Sequence, residues 1–246
     1  MNTDIKRRRG IYLLPNLFTT AGLFAGFYAV ISAMNGKFEA AAIAIFVAMV
    51  MDGFDGRVAR MTNTQSDFGK EYDSLADMVS FGLAPALVMY QWALAPLGKV
   101  GFVGAFVFAA GAALRLARFN TQVGIVDKRY FQGLASPAAA ALIAGFVWWG
   151  DDAGWVRADV AVVAVVLTAV AGVLMVSNIR YSSFKDVNLR GRVPFVKILV
   201  VVGVFGLVAM DPPSVLFIMA LIYAVSGIFV TLFQLRKKRA ERKTQG

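Results

Sequence analysis

Asp52-Gly53-Phe54-Asp55-Gly56-Arg57-Val58-Ala59-Arg60, then eight residues, then Gly69, Asp73 and Asp77: this stretch sets four aspartates at the joint between two mostly apolar runs. Asp52 and Asp55 are three residues apart and Asp73 and Asp77 four apart, so on helices each pair projects from one face. Acids are scarce, 15 among 246 residues, yet Asp67 and Glu71 join these four in the same stretch, a crowding that needs a cause. The runs on either side, 39–59 and 74–96, are each long enough to cross the hydrocarbon of a bilayer. The stretch therefore reads as helix, short loop, helix, with both acid pairs brought together at one membrane face.

Outward from this joint the apolar pattern repeats. Candidate spans lie near 13–34, 39–59, 74–96, 99–118, 136–150, 159–178, 194–210 and 213–235, which predicts an all-α integral membrane protein of about eight transmembrane helices. With 59% hydrophobic and 16% charged residues no room remains for a separate soluble domain. Residues 1–246 are expected to form a single membrane-embedded domain with short basic tails at 1–10 and 236–246. The first span follows Lys6, Arg7, Arg8 and Arg9 as a signal peptide would, but it runs past Phe27 without a small-residue cleavage site, so a retained helix is expected. An even number of spans puts both termini on one side. Of the 25 Lys and Arg residues, all but Lys37, Lys99 and Arg157 fall on that side, so the positive-inside rule predicts termini and acids facing the cytoplasm. Topology and attraction to anionic lipid head groups account for the net charge of +10, and no nucleic-acid partner is expected.

The chain has neither cysteine nor histidine, which excludes disulfides, thiolate or imidazole metal ligands and every nucleophilic mechanism built on those side chains. Crowded carboxylates at a membrane boundary repel one another and resist desolvation unless cations lie between them. An all-oxygen donor set suits a hard divalent ion, Mg²⁺ or Mn²⁺ rather than zinc. A simpler reading pairs the acids with Arg57, Arg60 and Lys70 as interfacial charges. A third reading is a cation transporter, since intramembrane carboxylates mark ion pathways, although these acids sit at one face and no pair of broken helices suggests alternating access. Gly56, Ala59 and Gly69 leave space beside the acids for a bulky ligand to approach the backbone, and Arg60 adds a cation suited to phosphates.

The stretch resembles the full signature of the CDP-alcohol phosphotransferases, D-x-x-D-G-x-x-A-R-x8-G-x3-D-x3-D, at every fixed position. The resemblance implies a six-helix core, and two divalent ions, Mg²⁺ or Mn²⁺, held by Asp52, Asp55, Asp73 and Asp77 and gripping the diphosphate of a CDP-lipid. It implies that Asp77 also takes the proton of the incoming hydroxyl, that Gly56, Ala59 and Gly69 accommodate the nucleotide, and that Arg60 contacts it or its phosphates. Pro15-Asn16-Leu17-Phe18-Thr19 looks like the family's first-helix start, where Asn16 and Thr19 reach the nucleotide, although a Pro-Asn helix start is also an ordinary cap. The implied reaction is direct attack of an alcohol on the phosphorus bearing the lipid, with CMP leaving and no covalent enzyme intermediate. A homodimer is also implied.

The acceptor must be read elsewhere. Arg115-Leu116-Ala117-Arg118-Phe119-Asn120, Phe131-Gln132-Gly133-Leu134-Ala135-Ser136-Pro137-Ala138 and Ser177-Asn178-Ile179-Arg180-Tyr181-Ser182-Ser183-Phe184-Lys185 all fall on the side of the acids. They resemble segments of the bacterial and archaeal phosphatidylserine synthases within that family, with one departure, Ala135 where proline is expected. That resemblance implies CDP-diacylglycerol as donor and L-serine as acceptor. Arg118, Arg180 and Lys185 are then candidates for the serine carboxylate, with Asn120 and Ser136 completing the hydrogen bonds. Glycerol 3-phosphate, inositol phosphate or choline remain alternative acceptors, since a phosphorylated acceptor also calls for cations. A basic loop at a membrane boundary is also ordinary topology, and Tyr181 and Phe184 suit interfacial anchoring.

Overall fold

The computed structural model describes residues 13–62, 66–121, 130–182 and 195–244. Helix α1, Leu13–Met34, turns through Gly36, whose φ of 72° suits glycine, into α2, Phe38–Thr62. Helix α3 runs over Asp67–Leu97 and starts earlier than the predicted span, because Ser66 caps it: the Ser66 Oγ accepts from Gly69 N at 3.0 Å. Its first turns are charged and its later ones apolar, so hydropathy alone places the start too late. Directly after Asp77 the helix widens into a π-helical turn, Met78–Leu83. Pro85 supplies the cause: it has no N–H to give to the carbonyl four residues back, and its ring crowds that carbonyl. A second widening at Tyr90–Leu94 precedes Pro96, and Gly98, with φ of 57°, ends α3.

Helix α4 covers Lys99–Thr121, α5 Ser136–Asp152, α6 Arg157–Val176, α7 Phe195–Met210 and α8 Pro212–Thr244. A short antiparallel ribbon joins β1, Tyr130–Gln132, to β2, Arg180–Ser182, with Phe131 opposite Tyr181. Helical segments thus occupy all eight predicted stretches. Five of the described helices are long and apolar enough to cross a membrane: α1, α3, α4, α6 and the first part of α8. The other three differ for visible reasons: α2 carries the signature charges toward its end, and α5 and α7 are shorter. This is an all-α, multi-pass membrane architecture.

Alanines line the closest helix contacts, and many large apolar side chains face outward. Ala25, Ala29, Ala41, Ala42, Ala44 and Ala48 are buried where α1 meets α2, while Phe102, Phe106, Val162, Val163 and Val166 point outward. Without a hydrophobic drive between helices in lipid, close backbone approach supplies the attraction. At the crossing of α4 and α6 the approach is reciprocal: a Cβ on Gly111 would lie 2.4 Å from Gly172 O, and one on Gly172 2.7 Å from Val107 O. At the end of the bundle away from the acids, Asp151 accepts from Trp92 Nε1 at 3.3 Å and pairs with Arg157 at 3.1 Å. The Arg157 guanidinium in turn lies 4.5 Å from the centre of the Phe38 ring, tying the turns that follow α1, α3 and α5.

Candidate active site

The opposite end holds the acids. Carboxylate oxygens of Asp52 and Asp55 from α2 and Asp73 from α3 all lie within 4.8 Å of one another. Asp77, one turn further along α3, lies outside that trio but lines the same narrow cleft with the other three. Asp55 is buried, and Thr19 on α1 donates its hydroxyl proton to Asp55 Oδ2 at 2.9 Å, or alternatively to Pro15 O at 3.1 Å. Deeper in the bundle α1 presses directly on α3: Ser80 Oγ donates to Gly22 O at 3.1 Å, and a Cβ on Gly26 would lie 2.6 Å from Ser80 Oγ. The depth of α3 beside α2, and so the closeness of the acid pairs, is set by these contacts.

Among the described residues no ion pair joins these four aspartates to Arg57, Arg60 or Lys70. Arg60 Nε donates instead to Gly56 O at 2.8 Å, its side chain exposed. The donor set of three oxygen-bearing side chains converging on one point fits a hard divalent cation.

Beside the trio opens a cavity of roughly 450 Å³, lined by Asn16, Thr19, Gly56, Ala59 and Gly69, five of the six residues predicted for the nucleotide; Arg60 is not on its wall. The two glycines serve differently. A Cβ on Gly56 would meet open space, whereas one on Gly69 would lie 3.1 Å from Ser66 Oγ and 3.5 Å from Asn16 Oδ1. Gly69 therefore makes room for the cap of α3, and Gly56 borders the cavity. Ser66, Asp67 and Lys70 complete the wall beyond the predicted set. The signal for Ser66 was in the sequence, a serine three residues before Gly69 at a helix start.

The residues predicted for the acceptor come together only in part. Asn120, at the end of α4, donates from Nδ2 to Ser74 Oγ at 3.0 Å, which sits between Asp73 and Asp77 on α3. Ser136, fully buried at the start of α5, accepts from Arg115 Nη1 at 2.9 Å. Arg118 donates to Gln132, to Asn178 Oδ1 at 2.6 Å and to Val176 O at 3.2 Å. It thus fastens α4 to the ribbon and to the end of α6. Arg180 contributes backbone to β2, and Lys185 lies outside the described residues. Tyr181, expected as an interfacial anchor, is instead fully buried and donates to Ala224 O at 3.0 Å. Burial and the neighbouring Tyr223 push its phenol up to about 12, so it stays a donor. Only a glycine at 227 lets α8 approach its ring, since a Cβ there would lie 2.3 Å from Tyr181 Cε1. Ser74, Arg115, Gln132 and Asn178 were not singled out individually, because a polar residue at a helix end carries no sign of its partner until the helices are packed.

The family model for CDP-alcohol phosphatidyltransferase matches residues 12–184. The chain belongs to the CDP-alcohol phosphatidyltransferase family. That match spans α1 to α6 and both strands, leaving α7 and α8 beyond it, and of the predicted site residues only Lys185 falls outside. Among similar members of the family, a Helicobacter pylori protein named CDP-diacylglycerol–serine O-phosphatidyltransferase is 36% identical over 228 residues, covering 92% of this chain and 94% of that one. A protein of the same name from Methanocaldococcus jannaschii is 35% identical over 75% of this chain and 80% of its own. One from Mycobacterium tuberculosis is 38% identical over 60% of this chain and 56% of its own.

Proposed function

We propose that this membrane enzyme transfers the phosphatidyl group of CDP-diacylglycerol to L-serine and releases CMP. The observation that carries the reading is near full-length similarity to a serine O-phosphatidyltransferase on a chain whose signature aspartates converge at one end of the bundle. Asp52, Asp55 and Asp73 would hold Mg²⁺ or Mn²⁺, two ions in all with Asp77, and the bound metal supplies neutralisation of the diphosphate charge. The cavity walls do the positioning. Asn16 and Thr19 from α1 and Gly56 and Ala59 from α2 border the space for the cytidine, with Lys70 on its wall for phosphate oxygens and Arg60 held nearby through its bond to Gly56 O. Asp77 accepts the proton of the serine hydroxyl as its oxygen bonds to the lipid phosphorus; the bond from that phosphorus to the CMP oxygen breaks, and CMP leaves with the electron pair. Asn120 on α4 bonds Ser74, three residues before Asp77, and Ser136 on α5 bonds Arg115. The enzyme works as a homodimer in the bacterial inner membrane, with the site and both termini facing the cytoplasm. The test is an acceptor panel with purified protein and labelled CDP-diacylglycerol. Serine should yield phosphatidylserine and CMP, chelation should stop turnover, and Mg²⁺ or Mn²⁺ should restore it. Efficient use of ethanolamine or glycerol 3-phosphate in place of serine would overturn the acceptor while leaving the family standing.

A further inference from the structure

Among the described residues, Arg115 is a largely buried cation near the acids that closes no ion pair. It lies on α4 one turn before Arg118, in the helical register that places both on adjoining turns of one face. The two guanidinium groups face different partners. Arg118 is engaged by three acceptors on the ribbon and on α6, so its charge serves to join segments. Arg115 has one hydrogen bond from Nη1, to the buried Ser136 hydroxyl, and its Nε is buried without a partner. A buried N–H left unpaired is costly, and an acceptor that arrives later relieves it. The group also lies within electrostatic reach of Asp77 and Tyr223, without closing an ion pair to Asp77 among the described residues.

Serine constrains where its carboxylate is bound. Only two carbons separate that carboxylate from the hydroxyl, so a cation that recognises it must stand next to the group that receives the hydroxyl proton. We infer that Arg115 is the specificity-determining residue for the acceptor: its guanidinium, oriented by Ser136, receives the serine carboxylate beside Asp77. This rests on serine being the acceptor and on Asp77 taking its proton. Arg118 acts one step back, holding the ribbon and the end of α6 against α4.

Four acceptor-side measurements test it, made in detergent or liposomes on the full chain. Arg115→Lys and Arg115→Gln should raise the serine KM about ten-fold or more, with the KM for CDP-diacylglycerol unchanged. Ser136→Ala, which removes only the orienting hydroxyl, should raise the serine KM in the same direction and serves if the arginine variants fold poorly. The wild-type preference for serine over serinol, which has a hydroxymethyl in place of the carboxylate, should shrink in all three. Arg118→Ala should lower thermal stability and change both KM values together. A wild-type enzyme that uses serine, with serine KM and serinol discrimination unchanged in Arg115→Gln and Ser136→Ala, overturns this inference alone. A wild-type enzyme that does not use serine overturns the proposed function, and this inference with it.

Discussion

Thr19 and Asp77 divide the work around the trio in a way that two substitutions separate. Thr19 gives its proton to a buried carboxylate that would ligate a metal, and partners of this kind change metal affinity by about 10- to 100-fold when removed. Thr19→Val should therefore raise the Mg²⁺ or Mn²⁺ concentration needed for half-maximal activity by about that factor, while Thr19→Ser, which keeps the hydroxyl, should not. Asp77→Asn should leave CDP-diacylglycerol binding nearly intact and lower kcat by about 10²- to 10⁴-fold, the usual contribution of a general base. Binding of a labelled CDP-lipid beside single-turnover rates reads both, and undiminished turnover in Asp77→Asn would remove it from that role. The aspartates were legible because their spacing alone puts them on one face. Thr19 was expected from the resemblance to reach the nucleotide, but its bond to Asp55, 36 residues away, belongs to the packing of α1 on α2.

At the scale of elements, apolar length located the helices and local chemistry set their ends. The Ser66 cap advances α3 by several residues relative to its apolar run, and Pro85 opens the π-helical turn below Asp77. Neither moved Asp52, Asp55 or Asp73 off its helix face, which is why these acids still meet despite errors in the boundaries. The ribbon was not legible at all, since two three-residue strands have no periodicity to read and pair only once the start of α5 and the end of α6 are brought together. The crossing of α4 on α6 has no space for a side chain at Gly111. Gly111→Leu should destabilise the protein in detergent by about 1–3 kcal/mol, seen as an earlier thermal unfolding transition. An unchanged transition would mean that the two helices do not meet there.

For the whole molecule, the distribution of Lys and Arg gave an orientation, and the ends of the bundle follow the same division: Lys37, Lys99 and Arg157 belong to the end opposite the acids. The absence of cysteine makes this testable without background. Single cysteines at Lys37, Lys99 and Asp152, all exposed, should react with an impermeant maleimide added outside cells or spheroplasts, and one at Lys70 should react only after permeabilisation. Reaction of the first three only from within would invert the topology. The way Tyr181 is buried against α8 carries a consequence of another kind, one of time. A ribosome delivers α1 to α3 first, so the aspartate trio and the cavity beside it have all their residues in the membrane while later helices are still being made. The ring of Tyr181 waits for Ala224 and Gly227, which emerge more than forty residues after it. The acid end of α1 to α3 can thus assemble early in synthesis, and the ribbon that carries Tyr181 is sealed only when the last helix inserts.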